Sequence, residues 1–420
     1  MELRDSERRV YGVRMTAKTV LISGASIAGP ALAYWLHRHG FEPTVVEVAP
    51  TLRPGGHAVD VRGVAKSVVE QMGIMPAVRR DRVDERGLAF VDGRGRRVAE
   101  MPAELFGGEG MVAEIEIMRG DLARILYDAT QPFTGYRFGD RITALVQRPD
   151  GVDVTFASGG SRRFDVVVGA DGVHSGVRAL AFGPEADYVR HLGAYTAYFT
   201  VADPGDLDSW FLMHNHPGGL VAGLRPERGG TAKASLSFTS PPVDYDRRDI
   251  AQQQQIVANA LRPMGWRAPQ LLAAMAGAPD FYFDAICQVH VDRWWRGRTV
   301  LVGDAGYCGS PLAGLGTSLS IVGAYVLAGE LAAQPGDPEA AFAAYQAEMR
   351  DYVAKAVQLP PGGVKGFAPA SAFMIRLRNH SMRMMNRWPL KQMAARQFGK
   401  SDGIVLKNYP AAAPVAAERA

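Results

Sequence analysis

The sequence predicts an α/β fold: a parallel sheet interrupted by an inserted antiparallel β-sheet and followed by C-terminal helices. Three observations predict it. A strand-turn-helix-strand unit opens the chain at residues 19–47. Two further apolar strands, near 166 and 299, each end in a glycine-containing polar turn. Between them, about 185–282, alternating runs replace the buried-strand pattern.

The opening unit begins with Thr19 to Ile22, β-branched or apolar, as a buried parallel strand requires. The turn Gly24-Ala-Ser26-Ile27-Ala28-Gly29 follows. Gly24 lets the chain reverse, and Gly29 lets the new helix lie close to the strand. Leu32 and Leu36 fill the helix face, and Gly40 suits the position after the helix end. Val45 and Val46 start the second strand and Glu47 ends it, 23 residues after Gly24. That is close to the spacing of a carboxylate that binds ribose hydroxyls. The helix N-terminus offers N–H groups and a positive dipole end to a pyrophosphate. The middle glycine of the dinucleotide fingerprint is replaced by Ser26. Serine restricts close backbone approach, but its hydroxyl could donate to phosphate. An ordinary strand-turn-helix that binds nothing is the competing reading.

The loop Arg53-Pro-Gly-Gly-His57 leads to Asp60 and Arg62 on an extended segment. Residues 64–80 read as helix, and 87–103, with Asp92-Gly93, as a hairpin. Gly107, Gly108 and Gly110 mark a loop. Arg119-Gly-Asp121 starts a helix to about Ala129. Short strands fill 135–157, and the strand 164–169 ends in Ala170-Asp171-Gly172. Helical patterns cover 247–276. Arg298 to Leu301 is a strand before a glycine-rich loop, Gly303 to Gly316, and a long helix. A further helix follows at 336–357. Residues 372–388 read as a basic amphipathic helix with Met374, Leu377, Ser381, Met385 and Trp388 on one face, expected to pack on its own domain, with membrane or partner binding as the competing reading.

Composition bounds the partners. The 420 residues are 47% apolar and 21% charged, a globular profile too long for one typical domain. A net charge of +4 without a dense basic tract argues for no nucleic-acid partner but suits an anionic small molecule. Two cysteines, Cys287 and Cys308, make no disulfide framework, and no histidine spacing suggests a metal. The first 18 residues do not read as a signal peptide, and no apolar run reaches the 18–20 residues of a membrane span. The expectation is a cytoplasmic protein with no membrane span.

Four separated segments together resemble the FAD-dependent aromatic hydroxylases, the single-component flavoprotein monooxygenases. They are the turn Gly24–Gly29 with Glu47, the arginine-x-x-leucine helix start at Arg119, the stretch Asp165 to Arg178 around Asp171, and Gly303-Asp304-Ala305 with Pro311 and Gly314-Leu315-Gly316. The tetracycline-inactivating flavin monooxygenases look especially similar, with Arg53 and Asp60 matching the spacing of two of their cofactor-contacting positions. The resemblance spans about residues 17–350. It implies a Rossmann-like FAD-binding domain made of 15–75, 112–182 and 283–355, and a substrate-binding domain made of 76–111 and 183–282. A C-terminal helical segment at 356–410 follows, and 1–14 and 411–420 are expected to be flexible.

It also implies FAD bound by Gly24, Ser26, Ile27, Ala28, Gly29, Glu47, Asp60, Arg119, Asp171, Gly303, Asp304, Pro311, Gly314, Leu315 and Gly316. NADPH or NADH serves as reductant and meets Arg53. O₂ adds to the reduced flavin to give the C4a-hydroperoxide, whose oxygen passes to an aromatic or polycyclic, polyketide-like substrate. Baeyer–Villiger oxygenation, or a flavin-binding ligand sensor without turnover, is the alternative. Oligomeric state stays open. The family's histidine after Gly-Asp-Ala is Tyr307 here, its loop glutamine is Leu315, its later asparagine is Ser318, and Val48 replaces an arginine. Backbone contacts must therefore carry more of FAD binding. Arg53 reads equally as a solvated loop charge, and Asp171 as a turn residue. His57 reads as a solvated loop histidine or a flavin neighbour, and His214 and His216 as substrate contacts or exposed edge residues. Cys308 reads as packing.

Overall fold

The computed structural model describes residues 18–103, 115–385 and 403–410. Six strands form the sheet expected to bind the nucleotide, in the spatial order Trp295–Arg296, Thr299–Leu301, Val166–Gly169, Thr19–Ser23, Glu42–Glu47 and Gly135–Phe138. All pair in parallel except the edge pair Trp295–Arg296 and Thr299–Leu301. Val20 to Ile22, Val166 to Val168, Val300 and Leu301 are buried, which is why these strands read as continuous apolar runs. Strand Thr19–Ser23 pairs with Glu42–Glu47 on one side and with the distant Val166–Gly169 on the other. The connections therefore leave in opposite directions at this strand, opening a crevice at its C-terminal end.

Helix Ala28–Arg38 packs against Gly316–Ala333, which packs in turn against Pro338–Ala356. Gly316–Ala333 corrects the expectation that no stretch reaches membrane-spanning length. It has 18 residues and a mean hydropathy of 1.3, but 78% of it is buried, and a core helix enclosed on all sides is apolar all round. Its one carboxylate, Glu330, is paired: it accepts from Lys407 Nζ at 2.9 Å and from the Tyr409 hydroxyl at 2.8 Å.

The inserted sheet has seven strands, in the order Tyr282–Val289, Val189–Ala202, Thr231–Thr239, Leu220–Pro226, Trp210–His216, Gly87–Val91 and Arg97–Pro102. One face carries Phe199, Leu236 and Phe283 into a core with helices Ile250–Leu261 and Ala268–Met275. The opposite face turns to the nucleotide-binding layer, where Tyr198 stacks on His57 at 5.0 Å.

Several boundaries differ from expectation. The helix expected over 64–80 is two, Val64–Gln71 and Met75–Arg80, broken at Gly73, whose φ of +74° favours glycine. The pattern at 247–276 is likewise two helices, separated around Pro263 and Gly265. Tyr282–Val289 pairs with Val189–Tyr198, so residues 283–289 belong to the inserted sheet and not to the nucleotide-binding segment. The 356–410 region is helical at Gly363–Phe367 and Ala372–Met385 but has no regular secondary structure at 403–410, where Ile404, Leu406 and Tyr409 pack on the nucleotide-binding core. In helix Ala372–Met385 the inward face is Ile375, Arg378, Asn379 and Met382; the expected Met374 and Leu377 are exposed. Residues 1–14 and 411–420, the Gly107–Gly110 loop, and Trp388 lie outside the described residues.

His174 joins the two layers. It leaves the turn after Val166–Gly169, with Nε2 2.9 Å from Asp284 Oδ2 on the inserted sheet and Nδ1 3.0 Å from Glu185 Oε2. Burial alone would lower its pKa; the two carboxylates outweigh burial and push it up to about 9. A raised folded-state pKa gives stability that is complete below the ordinary value of 6.5 and lost as pH rises through about 9. Urea unfolding of the wild type should therefore lose about 2 kcal/mol over that interval, while His174→Gln should be less stable at pH 6.5 and show a flatter slope. Equal slopes would refute the ion pair's contribution.

Candidate active site

The crevice is shaped first by close backbone approach. At Gly24 (φ +108°) a Cβ would lie 2.5 Å from the Ala170 carbonyl oxygen, and at Gly29 it would lie 1.9 Å from the Gly24 oxygen. Neither position admits a side chain, so the turn closes against both the neighbouring strand end and its own helix. Helix Ala28–Arg38 starts from Ile27 with no side-chain cap, leaving its first-turn N–H groups for an external acceptor. Glu47 braces the same turn: Oε2 accepts from Ala25 N at 2.8 Å and Oε1 from Ala49 N at 2.9 Å. Arg53 is 57% exposed and approaches Glu47 Oε1 at 3.7 Å, so it stands beside the carboxylate that ends the second strand.

Ser26 has a role that the fingerprint did not reveal. Its Oγ accepts a hydrogen bond from Arg119 Nη1 at 3.0 Å. Arg119 begins helix Arg119–Thr130, and its N–H donates to the His57 carbonyl. A Cβ at Gly56 would lie 2.7 Å from Arg119 Nε, so the Gly55-Gly56 loop exists in this path because the guanidinium occupies the space. Burial lowers the Arg119 pKa, and the nearby Arg53 adds to this. Among the described residues no ion pair places a carboxylate on Arg119; the serine hydroxyl holds it.

The other three expected carboxylates, Asp60, Asp171 and Asp304, are placed differently from Glu47. Asp171 accepts from Ser23 Oγ at 3.2 Å, Val177 N at 3.1 Å and Ser175 Oγ, so its side chain organises the turn. The fully buried Arg178 donates to the Ala305 carbonyl at 2.9 Å and to the Val173 carbonyl, tying this turn to the Gly303 turn. Asp60 is ion-paired with Arg62 Nη2 at 2.7 Å and lies near Gly314. Asp304 follows Gly303 (φ +63°) and is half-buried, with the Cys308 thiol as its side-chain hydrogen-bond partner. Burial raises its pKa. A Cβ at Gly316 would stand 3.7 Å from Asp304 Oδ1, so this carboxylate lies beside the N-terminus of Gly316–Ala333.

Pro311 and Gly314 (φ +72°) are exposed on the turn before that helix, while Leu315 is buried as its N-cap. Ser318 serves the fold: its Oγ accepts from Arg62 N at 3.2 Å. Tyr307 turns into the core, where its hydroxyl meets Tyr345 at 2.7 Å. Cys308 is buried, and burial pushes its thiol well above the ordinary range, which fits packing and not nucleophilic chemistry.

The inserted sheet forms the opposite wall. Registered neighbours Tyr282, Tyr198, Ser235, Gly223, Met213 and Phe90 run across it on the face turned to the nucleotide layer. Burial and then the charges of Arg119, Arg225 and Lys233 push His57 down to about 4, so its imidazole is neutral near pH 7. This replaces the solvated-loop reading of His57. Arg225 bridges Glu85 at 2.9 Å and Glu116 at 3.1 Å, and Lys233 meets Asp280 at 2.7 Å. These charges escaped the sequence reading; only their place in alternating strands signalled them. His214 is buried on an interior strand against the Val91 carbonyl, at 3.0 Å, so it is not an edge residue. His216 bonds the adjacent Pro217 carbonyl. Among the described residues no cluster of histidine, cysteine or carboxylate side chains could hold a metal ion.

The residues fit FAD. A cradle closed to side chains, an uncapped helix terminus and a guanidinium suit the diphosphate, and the half-open Asp304 suits polyol hydroxyls. Ser26→Ala should release Arg119 and weaken FAD binding about fivefold to tenfold, measured by quenching of flavin fluorescence on apoprotein. Unchanged affinity would show that the serine anchor contributes nothing. Asp304→Ala should purify with little FAD yet keep wild-type circular dichroism, because among the described residues no cation pairs with that carboxylate; full flavin absorbance would remove the assignment.

Residues 17–359 match the profile of the FAD binding domain family. An uncharacterized protein of Mycobacterium tuberculosis is 46% identical over 354 residues, 84% of this chain and 95% of that protein. A flavin-dependent monooxygenase of Legionella longbeachae is 40% identical over 336 residues, 80% of this chain and 85% of that one. The crystal structure of tetracycline destructase Tet(55) superimposes with a TM-score of 0.77 at 36% identity, covering 94% of this chain and 99% of that chain. Fold, crevice and relatives agree: the chain belongs to the FAD binding domain family and is an FAD-dependent monooxygenase.

Proposed function

We propose that the protein takes electrons from NADPH or NADH and hydroxylates an aromatic or polycyclic, polyketide-like small molecule. The observation that carries this reading is the wall opposite the cofactor crevice. It is one sheet face that carries Tyr282, Tyr198 and Ser235, and its far end, Met213 and Phe90, is closed by packing with Ala368, Phe367 and Met382. A flat substrate with a few polar edges matches such a face. The similarity to tetracycline destructases, proteins named for a polycyclic polyketide, supports it.

FAD would be held by the turn Gly24, Ser26, Ile27, Ala28 and Gly29, by Glu47 and Arg119, by backbone near Asp171, and by Gly303, Asp304 and the Pro311–Gly316 loop, with Asp60 behind Gly314. Bound FAD supplies storage of two electrons and activation of O₂. The chain's own residues supply the surroundings. Neutral His57 and Tyr198 stack into a wall that excludes water. The N-terminal end of Gly316–Ala333 favours negative charge nearby. Tyr282 donates to Asp284 at 2.8 Å, so its oxygen lone pairs are left for a donor in the crevice. The exposed Arg53 is proposed to meet the nicotinamide cofactor's phosphates, which bind transiently at the surface.

The test is turnover of the purified holoprotein with NADPH and O₂ against polycyclic phenols, tetracyclines and simple phenols. The expected result is substrate-stimulated NADPH oxidation and a product heavier by one oxygen, with the new hydroxyl on an intact ring. A ring-expanded ester of the same mass would replace hydroxylation with Baeyer–Villiger oxygenation. Binding without NADPH oxidation across the panel would replace enzyme turnover on these substrates with ligand sensing.

A further inference from the structure

Charge is spread unevenly along the chain. Residues 352–401 contain nine lysines and arginines and no aspartate or glutamate. The whole chain carries +4, so the remaining residues together carry −5. Helix Ala372–Met385 lies inside this basic stretch. Its inward side packs on strands Arg97–Pro102 and Trp210–His216. Its outward side is divided in two. Phe373 and Leu377, one turn apart, are 71% and 47% exposed, and Met374 beside them is 46% exposed. Arg376, His380 and Arg383 repeat at the same three- and four-residue spacing and form an exposed polar stripe along one edge of the apolar one. Among the described residues no carboxylate pairs with Arg376 or Arg383. The other exposed large apolar side chains, Val48, Val146, Leu180, Ile250, Tyr282 and Val405, are scattered along the chain, whereas these three fall within five residues. Such a cluster leaves apolar surface in water with no use to the fold.

Whatever covers this face must accept both stripes. A second copy of the face would set Arg376 and Arg383 against the same arginines, which like charge opposes. A nucleic-acid backbone would take the arginines but gain nothing from Phe373 and Leu377. An anionic bilayer takes both: the acyl chains receive the apolar stripe, and the headgroups receive the arginines. We propose that helix Ala372–Met385 docks on an anionic membrane surface, with Phe373, Met374 and Leu377 in the acyl boundary and Arg376 and Arg383 at the headgroups. At 14 residues the helix is too short to span a bilayer, so it lies in the interface plane. On its inward side Met382 joins Phe367 and Ala368 in closing the far end of the sheet wall at Phe90 and Met213. Docking therefore turns that end of the wall towards the lipid.

The probes are vesicles of phosphatidylcholine, with and without phosphatidylglycerol, pelleted with the holoprotein at low and at high salt. Wild type should bind the anionic vesicles at least roughly tenfold more tightly than the neutral ones, the size expected of two arginines at a charged surface. Added salt should shrink that difference. Phe373→Ser combined with Leu377→Ser should weaken binding to anionic vesicles at least roughly tenfold, with FAD content and melting temperature unchanged. Arg376→Gln combined with Arg383→Gln should remove most of the preference for anionic lipid. Phe373→Trp keeps the apolar stripe and reports its depth: brominated lipid should quench its emission beyond that of wild type, and this result decides if the serine variant does not fold. Absence of wild-type binding to either vesicle overturns the docking. A dimer that the serine variant dissociates would then give the face to a second copy, and retention of a DNA duplex would give it to nucleic acid. Anionic binding that the serine variant keeps in full, with no added quenching in Phe373→Trp, also overturns it, leaving only diffuse attraction of the basic stretch.

Discussion

Everything in this protein depends on how closely three strand ends approach one another. Gly24 lies against the Ala170 carbonyl, and Gly29 against Gly24, at separations that leave no room for a Cβ. Hydrogen bonds around Asp171 hold the turn after Val166–Gly169 to Ser23 at the end of the first strand, and Arg178 ties that turn to the Gly303 turn. The crevice is what remains outside this junction. A looser junction would leave the helix N-terminus, Arg119 and Asp304 without a common target.

Charge in the crevice is distributed by whether a protein partner exists. Arg225, Lys233 and Arg62 have carboxylates on them and act as structural charges between the layers. Among the described residues, the Arg119 guanidinium meets a neutral hydroxyl and no carboxylate. Asp304 has only a thiol. The uncompensated groups are those with interaction energy left for a ligand, because a paired charge must first lose its partner.

The substitutions relative to related flavoenzymes become intelligible in three dimensions. Ser26 trades close backbone approach for an anchor on Arg119. Tyr307 leaves the site for a buried pair with Tyr345. Ser318 bonds the backbone of Arg62, and Leu315 is buried at the helix start. These side chains are therefore taken up by the fold, which leaves backbone N–H groups and the helix end on that side of the crevice.

The sequence by itself determined the α/β class, the strand-turn-helix-strand unit, the family and its cofactor. Those features are local: buried parallel strands and glycine turns write themselves in consecutive residues. It also marked Arg119 and Asp304 by their motifs. Only the tertiary structure decided which carboxylates are free. Asp60, Asp171 and Asp304 look alike in sequence, yet Arg62 takes the first, the turn around Ser23 and Ser175 takes the second, and the third stays open. It likewise turned Arg378 inward where Met374 and Leu377 were expected, because the helix meets a sheet face assembled from strands far apart in sequence. Pairing of charges across such distances has no period along the chain, so no reading of one segment at a time could have found it.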